Sequence, residues 1–454
     1  MAASSDSCNY EIFISYKWDM EGTSRNFSIS LFERLRVEKV EVFLDSQCLE
    51  RGEDMLPKFI HAIRKSKILI PIISKGYSES QWCLNELTEM VDSYESGGQK
   101  ILPILFDVEA DHVNKHIGID TALSPLKENK KKNHKQIKDG WGNALTAVAK
   151  LLAYTLKEVN GNHSKLVNLI VGGVLTELSC LAAAKYPVGL FGHVKEIEKR
   201  LCCPDHVQYF GIHGAKGIGK TTIAKALHNR YSREFDYKCF LENIGTNTSE
   251  VIELQKQLIK SISKEEGDVL IPDVGTGKKK IKGCLHGKKV LIILDGVESE
   301  NQFKALNILF AWFDIGSKII VTSRFEKILK LACEAFLSGT VYKVDEKRIF
   351  HLPKLDEKQS FQLFNRRAFP KEQFREVLDK EVFKMVVLLA EGLPSNAVKL
   401  AERLSDKISN IELCQRMLNE LKEISGSDLD QKLQGWDDNA KKKRAEFGGL
   451  CRKS

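Results

Sequence analysis

The sequence predicts an α/β protein with two parallel sheets, followed by a smaller helical part. Two blocks of the chain alternate short apolar runs with amphipathic segments of helical period, which is the pattern of a parallel sheet covered by helices. Residues 67–73 form a nearly continuous apolar run, as expected for a central strand covered on both faces. In the second block a glycine-rich turn follows an apolar strand, and beyond about residue 355 only helical patterns occur.

The first block spans about residues 10–155. Its strand-like runs are short and rich in aromatic and β-branched residues, and the segments between them have helical period. In chain order we predict a strand at 11–16, a helix at 26–37, strands at 42–44 and 67–73, a helix at 82–91, a strand at 101–106, a solvated loop at 127–138 and a helix at 141–156.

The second block starts near residue 188 and repeats the alternation. Its helical end has no apolar run of strand character. In chain order we predict a strand at 207–212, a helix from 220 to 231, strands at 290–294 and 318–322, and helices at 360–368, 380–390, 395–406 and 411–424.

Composition excludes several kinds of protein. A length of 454 residues suggests about three domains, and 43% hydrophobic with 29% charged residues is ordinary for a globular chain. The net charge of +8 is too small to indicate a nucleic-acid surface, so no such partner is expected. The eleven cysteines show no C-x-x-C spacing, which argues against a zinc or disulfide framework, and no secretory signal is visible.

One apolar segment, residues 166–184, is almost long enough to cross a bilayer. Glu177 lies near its middle, and insertion scales assign a central carboxylate a cost of about 2.5–3.5 kcal/mol. We therefore expect a packed helix here and no membrane span.

A phosphate-binding loop is the strongest motif in the chain. Residues 214–221 fit G-x-x-x-x-G-K-[ST], with Gly214 and Gly219 as its glycines, between a predicted strand and a predicted helix. Lys220 is placed to neutralise the β- and γ-phosphates, Thr221 can offer its hydroxyl to Mg²⁺, and the helix N-terminus adds its dipole. The alternative is a glycine-rich turn that binds nothing.

Two later strands end in charged residues that fit the same site. Asp295 follows the apolar run 290–294, where a carboxylate typically holds the magnesium shell, and Arg324 follows the run 318–322, where it could sense the γ-phosphate. Taken singly, each is equally consistent with an ordinary strand end capped by a polar residue.

The second block resembles the NB-ARC class of switch ATPases, which plant disease-resistance proteins share with activators of apoptotic proteases. The resemblance is carried by residues 211–222, 239–243, 392–394 and the strands that end at Asp295 and Arg324. It implies that ADP or ATP binds with Mg²⁺. The implied nucleotide-binding residues are Val188, Gly189, Gly214, Gly217, Gly219, Lys220, Thr221, Thr222, Asp295, Arg324 and Pro394, with Thr221 and Asp295 as the magnesium ligands.

The resemblance also sets expectations about boundaries and departures. We expect a nucleotide-binding domain at 188–345, a helical subdomain similar to ARC1 at 346–426, and a basic tail at 427–454. The family usually has a second Asp after Asp295, and Gly296 in its place implies weak or absent ATP hydrolysis. The chain ends before the winged helix and leucine-rich repeats, so we expect a short form without the repeats.

The first block resembles a plant Toll/interleukin-1 receptor (TIR) domain, which implies a flavodoxin-like fold. The resemblance is carried by residues 12–16, 43–45 with 49–52, 62–66 and, most specifically, 80–87. We expect the TIR domain at 8–158 and a helical linker at 159–187.

Many plant TIR domains cleave NAD⁺, and by position Glu86 would be the catalytic carboxylate. Cleaving the nicotinamide–ribose bond builds positive charge on the sugar, which a partly desolvated carboxylate against Trp82 would stabilise. The resemblance places Lys17, Arg51 and Gly52 with Trp82 around the NAD⁺ pocket. The alternative is that Glu86 is a solvated helix residue.

The first block departs from the plant TIR pattern after its first strand. Where Phe-Arg-Gly is usual, the chain has Tyr16, Lys17 and Trp18, and the usual Ser-His of the following helix is Ile29 and Ser30. Lysine keeps the charge of arginine but not its planar fork. These departures bear on both NAD⁺ cleavage and one self-association contact.

Together the two resemblances imply a plant immune signalling protein that switches with ADP or ATP, self-associates or pairs with other receptors through its TIR domain, and cleaves NAD⁺. Two alternatives stay open, a non-enzymatic adaptor that pairs with full-length receptors and a housekeeping P-loop ATPase. The expected location is the cytoplasm, and the basic run 441–444 leaves the nucleus open as well.

Overall fold

In the computed structural model the chain forms two compact units, and the division along the chain falls between Leu178 and Ser179. The described residues are 10–18, 22–44, 56–96, 99–116, 118–123, 134–201, 207–242, 244, 248–263, 269–306, 308–337, 348–368, 380–404, 416, 419–420, 429 and 431–433.

A parallel sheet covered by helices forms the first unit. In chain order its elements are β1 (Ile12–Tyr16), α1 (Thr23–Val37), β2 (Val42–Leu44), α2 (Leu56–Lys65), β3 (Ile68–Ile73), α3 (Gln81–Glu95), β4 (Lys100–Ile101), β5 (Ile104–Leu105), α4 (Ala110–Asn114), α5 (Ile119–Leu123), α6 (His134–Ala149), β6 (Tyr154–Thr155) and α7 (His163–Ala183), the last of which continues into the second unit.

Strand order in this sheet is β2-β1-β3-β5-β6, with β4 also beside β3, and every pair is parallel. With β4 and β5 as one interrupted strand, this is the doubly wound 2-1-3-4-5 order of flavodoxin-like folds, so the predicted class is confirmed. β3 is the central strand, and all of its residues are buried because helices cover both faces.

Several boundaries in this unit differ from the predictions. The expected strand at 101–106 is split by Pro103, which has no N–H for the sheet ladder. The expected helix at 141–156 ends at Ala149, and the chain then adds β6 through a bond from the Tyr154 N–H to the Pro103 carbonyl of 2.9 Å. The expected loop at 127–138 is also wrong in part, because residues 134–138 already belong to α6.

The long helix α7 is the apolar segment that the sequence singled out. It is the one helix of the described residues long and apolar enough to cross a membrane by length and composition, and 67% of its most apolar window is buried. Glu177 is buried and pairs with Lys100 at 3.3 Å, so its charge is matched by a partner.

A second parallel sheet organises the other unit. Its elements are α8 (Leu190–Arg200), β7 (Gln208–His213), α9 (Lys220–Tyr231), β8 (Tyr237–Leu241), α10 (Thr248–Ser263), α11 (Val274–Leu285), β9 (Val290–Leu294), α12 (Glu300–Leu306), β10 (Lys318–Ser323), α13 (Glu326–Leu337), β11 (Ile349–His351), α14 (Glu357–Ala368), α15 (Lys380–Ala390) and α16 (Pro394–Leu404).

The order of this sheet is β11-β7-β10-β9-β8, and every pair is parallel. β9 and β10 are fully buried. The carboxyl ends of β7, β9 and β10 meet at one edge, where ligands bind in open α/β sheets. The helices α14, α15 and α16 pack around a separate apolar cluster after the sheet. The predicted helix at 411–424 lies mostly outside the described residues.

Gly173 provides a test of packing in the first unit. A Cβ there would lie 1.9 Å from the hydroxyl of Tyr154, and burial raises the pKa of Tyr154 to about 12, with Glu158 and Glu177 adding to the shift. We expect Gly173→Ala to lower the free energy of unfolding by about 1–3 kcal/mol, because overpacking outweighs the better helix propensity of alanine.

The matched control is Gly140→Ala in α6, where an added Cβ meets no atom within 4 Å. That change should be neutral or stabilise by up to about 1 kcal/mol. Denaturant unfolding of the wild-type chain, Gly173→Ala and Gly140→Ala measures the differences in free energy of unfolding. Equal stability of the two variants would contradict the packing account.

Candidate functional site

The phosphate loop connects β7 to α9 in the conformation that its glycines allow. Gly217 has φ 79° and Gly219 has φ 102°, both in the left-handed region that other residues rarely adopt. A Cβ on Gly217 would also lie 2.1 Å from the hydroxyl oxygen of Ser395. The loop therefore requires glycine at 217 for two reasons, backbone conformation and the close approach of α16.

Lys220 folds back over this loop. Its Nζ donates hydrogen bonds of 2.9 Å to the carbonyls of Gly214 and Ala215. Burial lowers the pKa of Lys220, and Arg324 lowers it further, whereas Asp295 and Glu298 act in the opposite direction. In this position the ammonium group of Lys220 can form an ion pair with an anion bound on the loop.

Asp295 is the centre of a hydrogen-bond network behind the loop. It is 6% exposed, and its two carboxylate oxygens accept bonds from the hydroxyls of Thr221 at 2.7 Å and Thr322 at 2.6 Å. The N–H of Gly296 donates to the same Thr322 hydroxyl at 2.9 Å. The network joins α9, β9 and β10, so the predicted neighbours Thr221 and Asp295 do lie together.

Arg324 lies next to this network at the end of β10. Its guanidinium forms an ion pair with Glu298, and both side chains are partly exposed. The positive charge of Arg324 contributes to lowering the pKa of Lys220.

A cavity of about 420 Å³ opens beside the loop. It combines the loop and the start of α9 with apolar residues from α8, from the segment after β11, and from α14 and α16. The lining residues are Ala184, Tyr186, Pro187, Val188, Leu190, His193, Gly217, Ile218, Gly219, Lys220, Thr221, Thr222, Ile223, Leu352, Pro353, Leu355, Leu363, Pro394, Ser395 and Val398.

This lining brings most of the sequence-derived nucleotide residues together, including Val188, Thr222 and Pro394. Gly189 is placed differently, since its backbone at φ 73° precedes α8 and an added Cβ would meet Leu355 and Gln359. The sequence reasoning missed Thr322, His193 and Ser395. Thr322 could have been found because it ends a predicted strand whose carboxyl end faces the site. Nothing in the sequence pointed to His193 or Ser395.

Glu86 lies in the second turn of α3 and is buried, at 4% exposure. One carboxylate oxygen accepts a 2.8 Å hydrogen bond from the indole N–H of Trp82, one turn earlier. Trp82 is 37% exposed and packs edge-on against Phe59, with ring centroids 5.0 Å apart. The alternative of a solvated Glu86 is therefore wrong, and the carboxylate lies behind a half-exposed aromatic side chain.

The other residues assigned to this region have separate surroundings. Lys17 pairs with Glu79 at 3.3 Å, and the guanidinium of Arg25 lies 3.9 Å from the ring centroid of Trp18. Arg51 and Gly52 lie outside the described residues.

Comparison with known protein families assigns both sheets. The model of the TIR domain matches residues 9–185, and the model of the NB-ARC domain matches residues 191–374. The parallel sheets and the phosphate loop agree with these two families. The chain is a TIR–NB-ARC protein.

Its curated relatives are plant disease-resistance proteins. The chain is 33% identical to disease resistance protein RUN1 of Vitis rotundifolia over 85% of its own length and 28% of that protein. It is 30% identical to TMV resistance protein N of Nicotiana glutinosa over 87% of its length and 34% of that protein. The chain thus belongs to the plant TIR–NB-ARC disease-resistance family and spans about a third or less of these relatives.

Among solved structures, the TIR domains of the activated Roq1 resistosome, which directly recognises the pathogen effector XopQ, are 27% identical to the chain. The match covers 36% of this chain and 97% of that one, with a TM-score of 0.32.

Proposed function

We propose that this protein is a plant immune signalling protein whose NB-ARC domain binds ADP or ATP as a switch and whose TIR domain self-associates and cleaves NAD⁺. The observation that carries the proposal is the Lys220–Thr221–Asp295 arrangement beside an apolar cavity, together with a buried Glu86 in the other unit. We place its action in the cytoplasm, with the nucleus as a second location.

The cavity suits a nucleotide in both size and chemistry. The phosphate loop supplies backbone N–H groups, the helix dipole of α9 and the ammonium of Lys220 for the phosphates. Val188, Leu190 and Pro394 supply the apolar walls that a base needs. The helical part contributes Pro394 and Ser395, so a bound nucleotide would contact both the sheet and the helices after it.

Magnesium fits the oxygens that face the phosphate loop. Thr221 and Asp295 would hold the ion, because hydroxyl and carboxylate oxygens are its preferred protein ligands and these two are already adjacent. The ion, when bound, would supply charge neutralisation for the β- and γ-phosphates. The direct Thr221–Asp295 hydrogen bond would give way to those contacts.

The TIR chemistry rests on the surroundings of Glu86. A carboxylate shielded from water and oriented by the Trp82 N–H stabilises a cationic ribose better than one in bulk solvent. Glu86 is buried beneath the more exposed side chain of Trp82, so substrate would reach the carboxylate past the indole ring. We propose that association of TIR domains completes the pocket, with Lys17 at its rim.

NAD⁺ cleavage should depend on Glu86. Forced oligomers of the full chain are expected to release nicotinamide, and Glu86→Gln should lower the rate by about 100-fold or more, because it removes the charge that stabilises the transition state. Chromatography of released nicotinamide measures the rate.

The matched control is Glu89→Gln, one turn away on α3, where the carboxylate forms a surface ion pair with Arg64 at 2.6 Å. This variant should keep the wild-type rate. If wild-type oligomers release no nicotinamide, or Glu86→Gln is as active, the enzymatic proposal fails and the adaptor alternative gains support.

Nucleotide affinity should depend on Lys220. We expect Lys220→Met to weaken ADP binding by about tenfold or more, since a lost charge-assisted hydrogen bond costs about 1.5–3 kcal/mol. Calorimetric titration of ADP into the full chain gives the dissociation constant. Lys225→Met is the control, because Lys225 is on the same helix but pairs with Glu242. Equal losses in both variants would contradict the assigned site.

Gly296 should limit ATP hydrolysis. An added Cβ at this position meets no atom within 4 Å, although φ is 78°, a value that Asp and Asn tolerate better than most residues. Gly296→Asp should raise ATP turnover by about tenfold or more, because a second carboxylate beside Asp295 can orient the attacking water.

Gly296→Asn has nearly the same shape without the charge and should leave turnover low. Phosphate release from ATP, followed for the wild type and both variants, distinguishes these outcomes. A wild-type rate that already matches Gly296→Asp would show that Gly296 does not limit hydrolysis.

A further inference from the structure

Two histidines and a glutamate meet at the edge of the second sheet, beside the phosphate loop but outside its cavity. His213 is the last residue of β7 and His351 is the last residue of β11. The two are register partners in adjacent parallel strands, so their side chains lie on the same face of the sheet. Glu326 is the first residue of α13 and lies beside His351.

The distances between these side chains suit shared coordination. The Nδ1 atoms of His213 and His351 are 3.1 Å apart. Oε2 of Glu326 lies 3.9 Å from Nε2, the other ring nitrogen of His351, so this distance shows that Glu326 is a neighbour and is not itself a spacing between two ligand atoms. One ligand atom from each of the three residues lies within 4.8 Å of the others. Two nitrogens that bind one Zn²⁺ at about 2.0–2.1 Å in tetrahedral geometry are separated by about 3.3 Å, close to the observed value.

The surrounding contacts orient the donor atoms. Nε2 of His213 lies 3.2 Å from the carbonyl oxygen of Arg324. A ring that donates its Nε2–H to that carbonyl presents the lone pair of Nδ1 toward His351, which is the arrangement that metal-binding histidines usually have. Glu326 accepts a 2.8 Å contact from Lys330 through Oε1, while its Oε2 faces His351.

We propose that His213, Glu326 and His351 bind a divalent transition metal ion, with Zn²⁺ as the expected occupant. Two imidazoles and a carboxylate suit Zn²⁺ better than Mg²⁺ or Ca²⁺, which prefer oxygen ligands throughout. The side chain of His351 is 59% exposed, so the remaining coordination position faces solvent and the metal can exchange. The bound ion would join the end of β7, the end of β11 and the start of α13.

The alternative is a hydrogen bond between the two histidines with no metal, and a direct titration decides between them. The full chain, without a histidine tag and after treatment with a chelator, is titrated with Co²⁺ as a spectroscopic probe and with Zn²⁺ by calorimetry. We expect one saturable site whose visible Co²⁺ absorption has no thiolate charge-transfer band in the near ultraviolet, which excludes the cysteines as ligands.

Variants locate the site within the chain. His351→Gln and Glu326→Gln should each weaken Zn²⁺ binding by at least about tenfold. The control is His286→Gln, which removes an exposed histidine elsewhere in the same unit and should leave affinity unchanged. His351 lies at the exposed end of an edge strand, so the substitution should leave the fold intact. Circular dichroism of the variant checks this.

Two results would overturn the proposal. One is the absence of saturable Co²⁺ and Zn²⁺ binding to the wild-type chain. The other is binding that His351→Gln and Glu326→Gln leave as tight as in His286→Gln, because the ion would then occupy another site. Loss of binding in both ligand variants with retention in the control supports it.

Discussion

The nucleotide-binding unit depends on the buried carboxylate of Asp295. A charge at 6% exposure is costly to bury unless each oxygen has a donor, and here Thr221 and Thr322 supply the two hydroxyl groups. Because these donors belong to α9 and β10 while Asp295 follows β9, satisfying one charge fixes the phosphate loop against two strands. On the same loop, Lys220 donates to the carbonyl of Gly214, and Ser395 closely approaches Gly217.

The TIR unit uses a buried carboxylate differently. Glu86 has an aromatic neighbour one turn earlier on the same helix, and that neighbour both donates a hydrogen bond and covers it from solvent. Asp295 is held by residues distant in the chain, so it ties elements together, whereas Glu86 is prepared locally on α3.

The chain's local patterns predicted much of the fold and less of the site. Apolar runs indicated β1, β3, β7, β9 and β10, and the helical period indicated α1, α3 and α9. The predictions missed other elements of both units, which are α2, α4, α5, β6, α8, β8, α10, α11, α12, α13 and β11. β8 mixes exposed and buried residues, and residues 239–243 served only as a family motif in the sequence analysis. β11 is a strand of three residues at the edge of the sheet. The predicted strand at 101–106 is interrupted at Pro103, which has no backbone N–H. The prediction failed there because a pattern of apolar residues does not show whether each residue has a backbone donor.

The sequence by itself determined the phosphate loop, the alternation of strands and helices, and the resemblance to TIR and NB-ARC domains, because each is written in residues close together along the chain. The tertiary structure alone decided that Glu86 is buried, that Thr322 completes the Asp295 network, and that His213 meets His351 across 138 positions. The reason is physical. Local spacing sets which face of an element is apolar, but the register of parallel strands sets which distant side chains share an edge.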